Sequence, residues 1–119
     1  MGSMRSSAEA FSAKVVGLDV DTVVFLTGEL DMATAPELTA VLAPLVEYGP
    51  HEVVLDFSDL SFIDSSGIAA LVDTQHRLGE QGRHLAIENA LGGTVRVFEI
   101  AGLLDFLNVR PHPLEDPAL

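Results

Sequence analysis

The sequence predicts a single α/β domain, a mixed and mostly parallel sheet packed with helices, in the order β-β-α-β-α-β-α-β. Three observations carry this. Apolar runs rich in β-branched residues alternate with stretches of helical period, turn residues separate them, and 119 residues leave room for one domain at roughly 150 residues each.

Residues 11–18 and 21–27 form two apolar stretches around Asp19-Val20-Asp21 and read as an antiparallel hairpin at the sheet edge. Gly28 closes the second strand. Thr34-Ala35-Pro36-Glu37 then matches a capping box: Thr34 accepts from the Glu37 N–H, the Glu37 carboxylate reaches back, and Pro36 sits in the first turn. Leu38, Val41, Leu42 and Leu45 make one apolar stripe, which Gly49-Pro50 ends. Pro44 lies inside that span and predicts a kink.

Within residues 51–57, Val53-Val54-Leu55 runs without alternation, the pattern of a strand covered on both faces. A second helix is expected from about residue 66 to 79, with Ile68, Leu71, Val72 and Leu78 inward. Residues 84–88 give another strand, 94–101 a short helix burying Val95 and Phe98, and 106–109 a last short strand. The right-handed crossover rule makes the strands from the second onward largely parallel. Residues 1–10 open on Met1-Gly2-Ser3-Met4, which resembles an expression scar ahead of a native Met4, and are expected to be flexible. The domain spans 11–109, and the proline-rich residues 110–119 form a loose tail.

Six Lys and Arg stand against 18 Asp and Glu, a net charge of −12. So anionic a surface excludes nucleic acid and anionic membranes as partners, because both require a basic footprint. The imbalance is concentrated in residues 1–76, which carry 2 basic and 12 acidic groups, so one part of the surface is expected to be strongly negative and to steer a basic partner or simply keep the domain in solution. With 48% hydrophobic residues the composition is that of a folded domain rather than a disordered chain. No cysteine is present, so the core forms without disulfides. The longest apolar run is Ile68 to Val72, far short of a membrane span, and a cytoplasmic location is expected.

In sheets of this kind, sites are built on the loops that leave the carboxyl ends of parallel strands. Two such loops stand out, Gly28-Glu29-Leu30-Asp31 and Asp59-Leu60-Ser61-Phe62-Ile63-Asp64-Ser65-Ser66-Gly67. If their strands are neighbours, Asp31 and Asp64-Ser65 share one rim. Ser65 and Ser66 fall at a helix start, where unpaired N–H groups and the dipole favour a negative charge such as a phosphate. Gly67, lacking a Cβ, permits a close approach. The plainer alternative is that Asp64 or Ser65 caps the helix and does nothing else.

These residues carry a resemblance. Leu55 to Gly67 with Ile68-Ala69-Ala70-Leu71, Thr27-Gly28-Glu29-Leu30-Asp31, and Val97-Phe98-Glu99-Ile100-Ala101-Gly102-Leu103 together resemble the bacterial anti-sigma factor antagonists, single-domain members of the STAS family. The match covers nearly the whole chain, with Asp64-Ser65-Ser66-Gly67 its most specific part. Pro44 and the proline-broken tail depart from the family pattern. The resemblance implies phosphorylation of Ser65 by a partner that is both anti-sigma factor and serine kinase, with reversal by a serine phosphatase. It implies a partner-binding surface of Asp31, Asp64, Ser65, Ser66 and Gly67, no cofactor, no catalytic residues, and a monomer or weak dimer. Unmodified, the domain would hold the anti-sigma factor and release sigma. Phosphorylated, it would add about −1.5 to −2 charge beside Asp64 and Asp31. At about 5 Å and an effective dielectric of about 20, one unit pair repels by about 3 kcal/mol before screening.

The rival readings are weaker on the residues. A serine on a strand-to-helix turn suggests a hydrolase, but Ile63 occupies the first glycine position of G-x-S-x-G, and His51, His76, His84 and His112 offer no obvious triad partner. Scattered histidines make no metal site, and Asp19-Val20-Asp21 lacks the third ligand of a calcium loop. Nucleotide-binding fingerprints are absent, and Leu91-Gly92-Gly93-Thr94 reads as the turn into a helix. Ile63, Phe62 and Leu104 are candidates for core or partner surface. Within the same family, a stressosome subunit or a lipid-transport component without a phosphoswitch shares the fold and motif.

Overall fold

The computed structural model describes residues 10–17 and 22–110. The turn of the hairpin, the opening residues up to 9, and the tail beyond Arg110 lie outside the described residues, and with them the expectations for both termini. Strands β1 (Ser12–Val16), β2 (Val23–Leu30), β3 (Glu52–Ile63) and β4 (His84–Glu88) alternate with helices α1 (Ala35–Tyr48), α2 (Ser65–Gly79) and α3 (Gly92–Ile100). The four strands lie side by side in chain order, β1 antiparallel to β2 and the others parallel. A mixed sheet with an antiparallel hairpin edge is therefore what the hydrophobic pattern foretold.

One face of the sheet is apolar. Val24, Leu26 and Leu30 of β2, Val53, Leu55 and Phe57 of β3, and Leu85 and Ile87 of β4 are buried there with Leu38 and Leu42 of α1, Leu71 and Leu78 of α2, and Phe98 of α3. Phe57 and Phe98 meet at 6.0 Å between ring centres. Residues 53–57 are buried without a break, as expected of a strand covered on both sides. On the opposite face the Asp56 carboxylate accepts from the Ser58 N–H and hydroxyl and from the Asn89 amide. The Arg110 guanidinium donates to both Glu52 and Glu88.

Four expectations need correction. First, β3 does not stop at residue 57 but runs to Ile63, because it carries two residues more than β2 opposite it. Phe25 and Thr27 face Asp56 and Asp59, and Gly28 and Glu29 face Leu60 and Phe62. Each extra residue reverses which side chains point inward. The buried residues Phe57, Leu60 and Ile63 are thus three apart, a spacing that the alternation of a regular strand does not predict. Second, the strand expected at 106–109 reduces to a single parallel bridge between Ile87 and Val109. Asn108 takes a left-handed conformation (φ 52°) just before it, and its side chain donates to the Leu85 carbonyl instead.

Third, Thr34 makes no side-chain cap to Glu37. Its hydroxyl turns back to donate to the Glu29 carbonyl at 2.8 Å and accepts from the Asp31 N–H at 2.9 Å, tying the helix start to the end of β2. Fourth, β2 does not close at Gly28 but runs on to Leu30. As expected, α1 spans Pro44 and ends at Tyr48, just before Gly49-Pro50. Pro44 is on the exposed side, while Leu38 and Leu42 anchor the helix in the core.

Candidate functional site

The parallel pairing of β2 and β3 sets the geometry of the rim. Leu30 stands opposite Ile63, and the Asp64 N–H donates to the Leu30 carbonyl at 3.1 Å. The next residues along the two strands, Asp31 and Asp64, are therefore brought together, as expected. Each begins a helix. Asp31 Oδ1 accepts from the N–H groups of Ala33 (3.0 Å) and Thr34 (3.1 Å) ahead of α1, and Asp64 Oδ1 accepts from those of Ser66 (2.8 Å) and Gly67 (3.1 Å) in the first turn of α2.

Ser65 is the first residue of α2 and is exposed; Ser66 behind it is half-buried. The hydroxyl of Ser65 thus faces solvent beside the Asp64 carboxylate. The helix start itself is occupied, however: Ser66 and Gly67 give their N–H groups to the Asp64 side chain, and Ile68 gives its own to the Asp64 carbonyl. Two of the N–H groups that the sequence suggested for a phosphate on Ser65 are thus taken by the Asp64 side chain, while the Ser65 N–H donates to no group among the described residues. Added charge there meets the Asp64 carboxylate.

Gly67 is buried. A Cβ at this position would lie 2.7 Å from Leu30 Cγ and 2.8 Å from Ile63 Cγ1, so the close approach that this glycine permits is that of α2 to its own sheet. Ile63 is likewise core, Leu104 is half-buried, and Phe62 is exposed. Met32, at 77% exposure directly after Asp31, is a rim residue that the sequence reading passed over. Its signal was a long apolar side chain between an aspartate and a helix cap, a place without a core to fill. Glu29 and Asp59 are exposed on the two strands that feed this rim, and neither Asp31 nor Asp64 has an ion-pair partner among the described residues.

The histidines lie elsewhere. His51 and His84 meet edge to face at 5.3 Å where β3 and β4 begin, the opposite rim from Ser65, as the sequence placed His51. His84 is not merely a surface residue, because its Nε2 is 2.7 Å from Glu52 Oε2. Burial alone would raise the Glu52 pKa, but His84 and Arg110 outweigh it and hold the carboxyl below its ordinary range. His76 packs against Phe106, eleven residues along α2 from Ser65, or about 16 Å at the helical rise. Among the described residues no imidazole is placed to take a proton from Ser65.

Comparison with known proteins identifies the family and the fold. The family profile described as "STAS domain" matches residues 12–115. An anti-sigma-B factor antagonist of Staphylococcus epidermidis is 33% identical over 101 residues, 79% of this chain and 94% of the relative. Its counterpart from Staphylococcus aureus is 35% identical over 82 residues, 69% and 76% of the two chains. The crystal structure of an anti-sigma factor antagonist from Mycobacterium paratuberculosis aligns with a TM-score of 0.78 at 29% identity, covering 90% of this chain and 91% of that one. The Bacillus protein SpoIIAA in its unphosphorylated form has the same fold, with a TM-score of 0.70 at 24% identity over 92% of both chains. The chain belongs to the STAS-domain family, and the relatives it is similar to in sequence and fold include anti-sigma factor antagonists.

Proposed function

We propose that this protein is a cytoplasmic anti-sigma factor antagonist, without catalytic activity of its own, that docks an anti-sigma factor on the rim formed by Asp31, Asp64, Ser65 and Ser66. Gly67 supports that rim from beneath. Ser65 is the acceptor of a phosphoryl group from a partner with serine kinase activity, and a serine phosphatase removes it. The observation that carries this reading is the exposed Ser65 at the first position of α2, beside a carboxylate that already fills the helix start.

A phosphate at Ser65 brings about −1.5 to −2 charge to a corner where Asp64 already holds the Ser66 and Gly67 N–H groups. The domain therefore keeps its shape and presents the new charge outward. A unit pair at about 5 Å costs about 3 kcal/mol at an effective dielectric of about 20, which solvent screening at an exposed site reduces. A loss of partner affinity of about tenfold or more follows. The relatives named as antagonists of anti-sigma factors support the identity of the partner, and SpoIIAA, which shares the fold, exists in phosphorylated and unphosphorylated forms.

The test is incubation with cognate kinase candidates and ATP, followed by peptide mass spectrometry and a binding titration. Ser65 alone should carry the phosphate, Ser65→Ala should abolish labelling while keeping partner affinity, and Ser65→Asp should lose affinity. Labelling of Ser65→Ala at wild-type level would overturn the assignment. Partner binding indifferent to both substitutions would point instead to a STAS interaction subunit without a phosphoswitch.

A further inference from the structure

The helical layer holds a second concave surface, away from the Ser65 rim. Between the C-terminal halves of α1 and α2 lies a groove of about 890 Å³, floored by Leu42 and Thr74 and walled by Pro44 and Val46. Leu42 and Thr74 are buried, whereas Tyr48, at the mouth, is 85% exposed. Glu47 and Glu80 flank the groove, both exposed and neither in an ion pair among the described residues.

The positive groups nearby are already engaged. Arg77 holds Asp73 at 3.0 Å, and Arg83 donates to the carbonyls of Leu45, Val46 and Pro50. Both helices also point their C-terminal, negative dipole ends toward this region. Accessible aliphatic walls at Pro44 and Val46, with a negative rim and an exposed phenol ring, select a cation on an apolar stem, since the stem covers the walls while the charge reaches the rim and the ring. Nucleic acid and anionic lipid are repelled by the same rim, and a second copy of this chain would bring identical carboxylates against it.

We propose that this groove docks a basic amphipathic segment of a partner protein, with an Arg or Lys stem on Pro44 and Val46 and its charge between Glu47, Glu80 and Tyr48. Asp73, the groove residue of α2 nearest to Ser65 in sequence, is eight residues along the helix, about 12 Å away at 1.5 Å per residue, and Glu80 is about 22 Å away. A segment seated here leaves the Ser65 rim uncovered, so this proposal stands apart from the phosphoswitch.

The probe is a synthetic amphipathic helix of leucine and arginine, titrated into the ¹⁵N-labelled full chain, with the glutamate version of the same peptide as control. Amide shifts should gather on Leu42, Val46, Tyr48, Thr74 and Gln81. Tyr48→Ala should weaken binding about threefold, the Glu47→Gln, Glu80→Gln pair about tenfold, and Ser65→Asp should leave it unchanged. Shifts centred on the Ser65 rim or on the opposite sheet face, equal binding of the glutamate peptide, or variants that bind like the wild type would each overturn the proposal. Circular dichroism melts of the variants separate lost binding from lost fold.

Discussion

Asp31 and Asp64 end neighbouring parallel strands and play the same part: each carboxylate takes two backbone N–H groups at the start of the helix that follows. The rim is therefore a pair of helix starts locked side by side by the Leu30 and Ile63 pairing, and its negative charge also serves the fold.

Capping and charge can be separated by substitution. Asp64→Ala should cost about 1 kcal/mol in urea denaturation, the usual value of a lost N-cap, and Asp64→Asn should recover most of that because the amide oxygen still accepts. In a partner titration both variants lack the carboxylate. Stability equal to wild type in Asp64→Ala would show that the two N–H groups find water at no cost.

Glycines at two helix starts should respond in opposite directions. Gly67→Ala pushes a methyl to within 2.7 Å of Leu30, and overpacking of a core contact costs about 1–3 kcal/mol. Gly93→Ala, where an added Cβ meets nothing within 4 Å, should stabilise α3 by about 0.5–1 kcal/mol. Paired thermal melts of the two variants check the sign of each.

Arg83 closes the end of α1 from a distance. The last turn of that helix has no basic residue of its own, and the Arg83 fork binds the carbonyls of Leu45 and Val46 there and that of Pro50 beyond. Arg83→Ala should lower stability by about 1–3 kcal/mol. Arg83→Lys should recover little of this, since one ammonium cannot span carbonyls that a planar guanidinium reaches at once. Chemical denaturation of the three proteins gives the comparison.

Acid should loosen the side of the sheet away from α1 and α2. Burial opposes ionisation of Asp56, yet the bonds from Ser58 and Asn89 prevail and lower its pKa, as His84 and Arg110 do for Glu52. A carboxyl whose folded pKa is depressed gives stability that is complete above its unfolded value and disappears as pH falls through the folded one. Denaturation midpoints should therefore hold near neutrality and decline from the ordinary values of 4.5 and 3.8 downward. Asp56→Asn should flatten part of that decline. An unchanged acid slope in Asp56→Asn would assign the effect to other carboxyls.

Much of this was legible in the chain before any coordinates. The stripe of Leu38 and Leu42, the turn at Gly49-Pro50 and the unbroken Val53-Val54-Leu55 are local patterns, and they place α1 and β3. Asp64-Ser65-Ser66-Gly67 marked the rim. What stayed hidden depended on contacts between distant segments. Thr34 has a capping sequence, but its hydroxyl accepts from the Asp31 N–H instead of the Glu37 N–H and donates to the Glu29 carbonyl. Gly67 is a small residue whose reason lies in Leu30, thirty-seven positions away. The groove at Tyr48 exists only once two helices lie together.

The two supernumerary residues of β3 make that strand a counting device. Deleting either one would rotate everything downstream by half a turn of the pleat, exchanging Ile63 with its exposed neighbour and breaking the pairing of Leu30 with Ile63 that sets Asp64 beside Asp31. Length variation should thus be tolerated in the exposed turn between α2 and β4, but between Phe57 and Asp64 the chain is held to an unchanging tally.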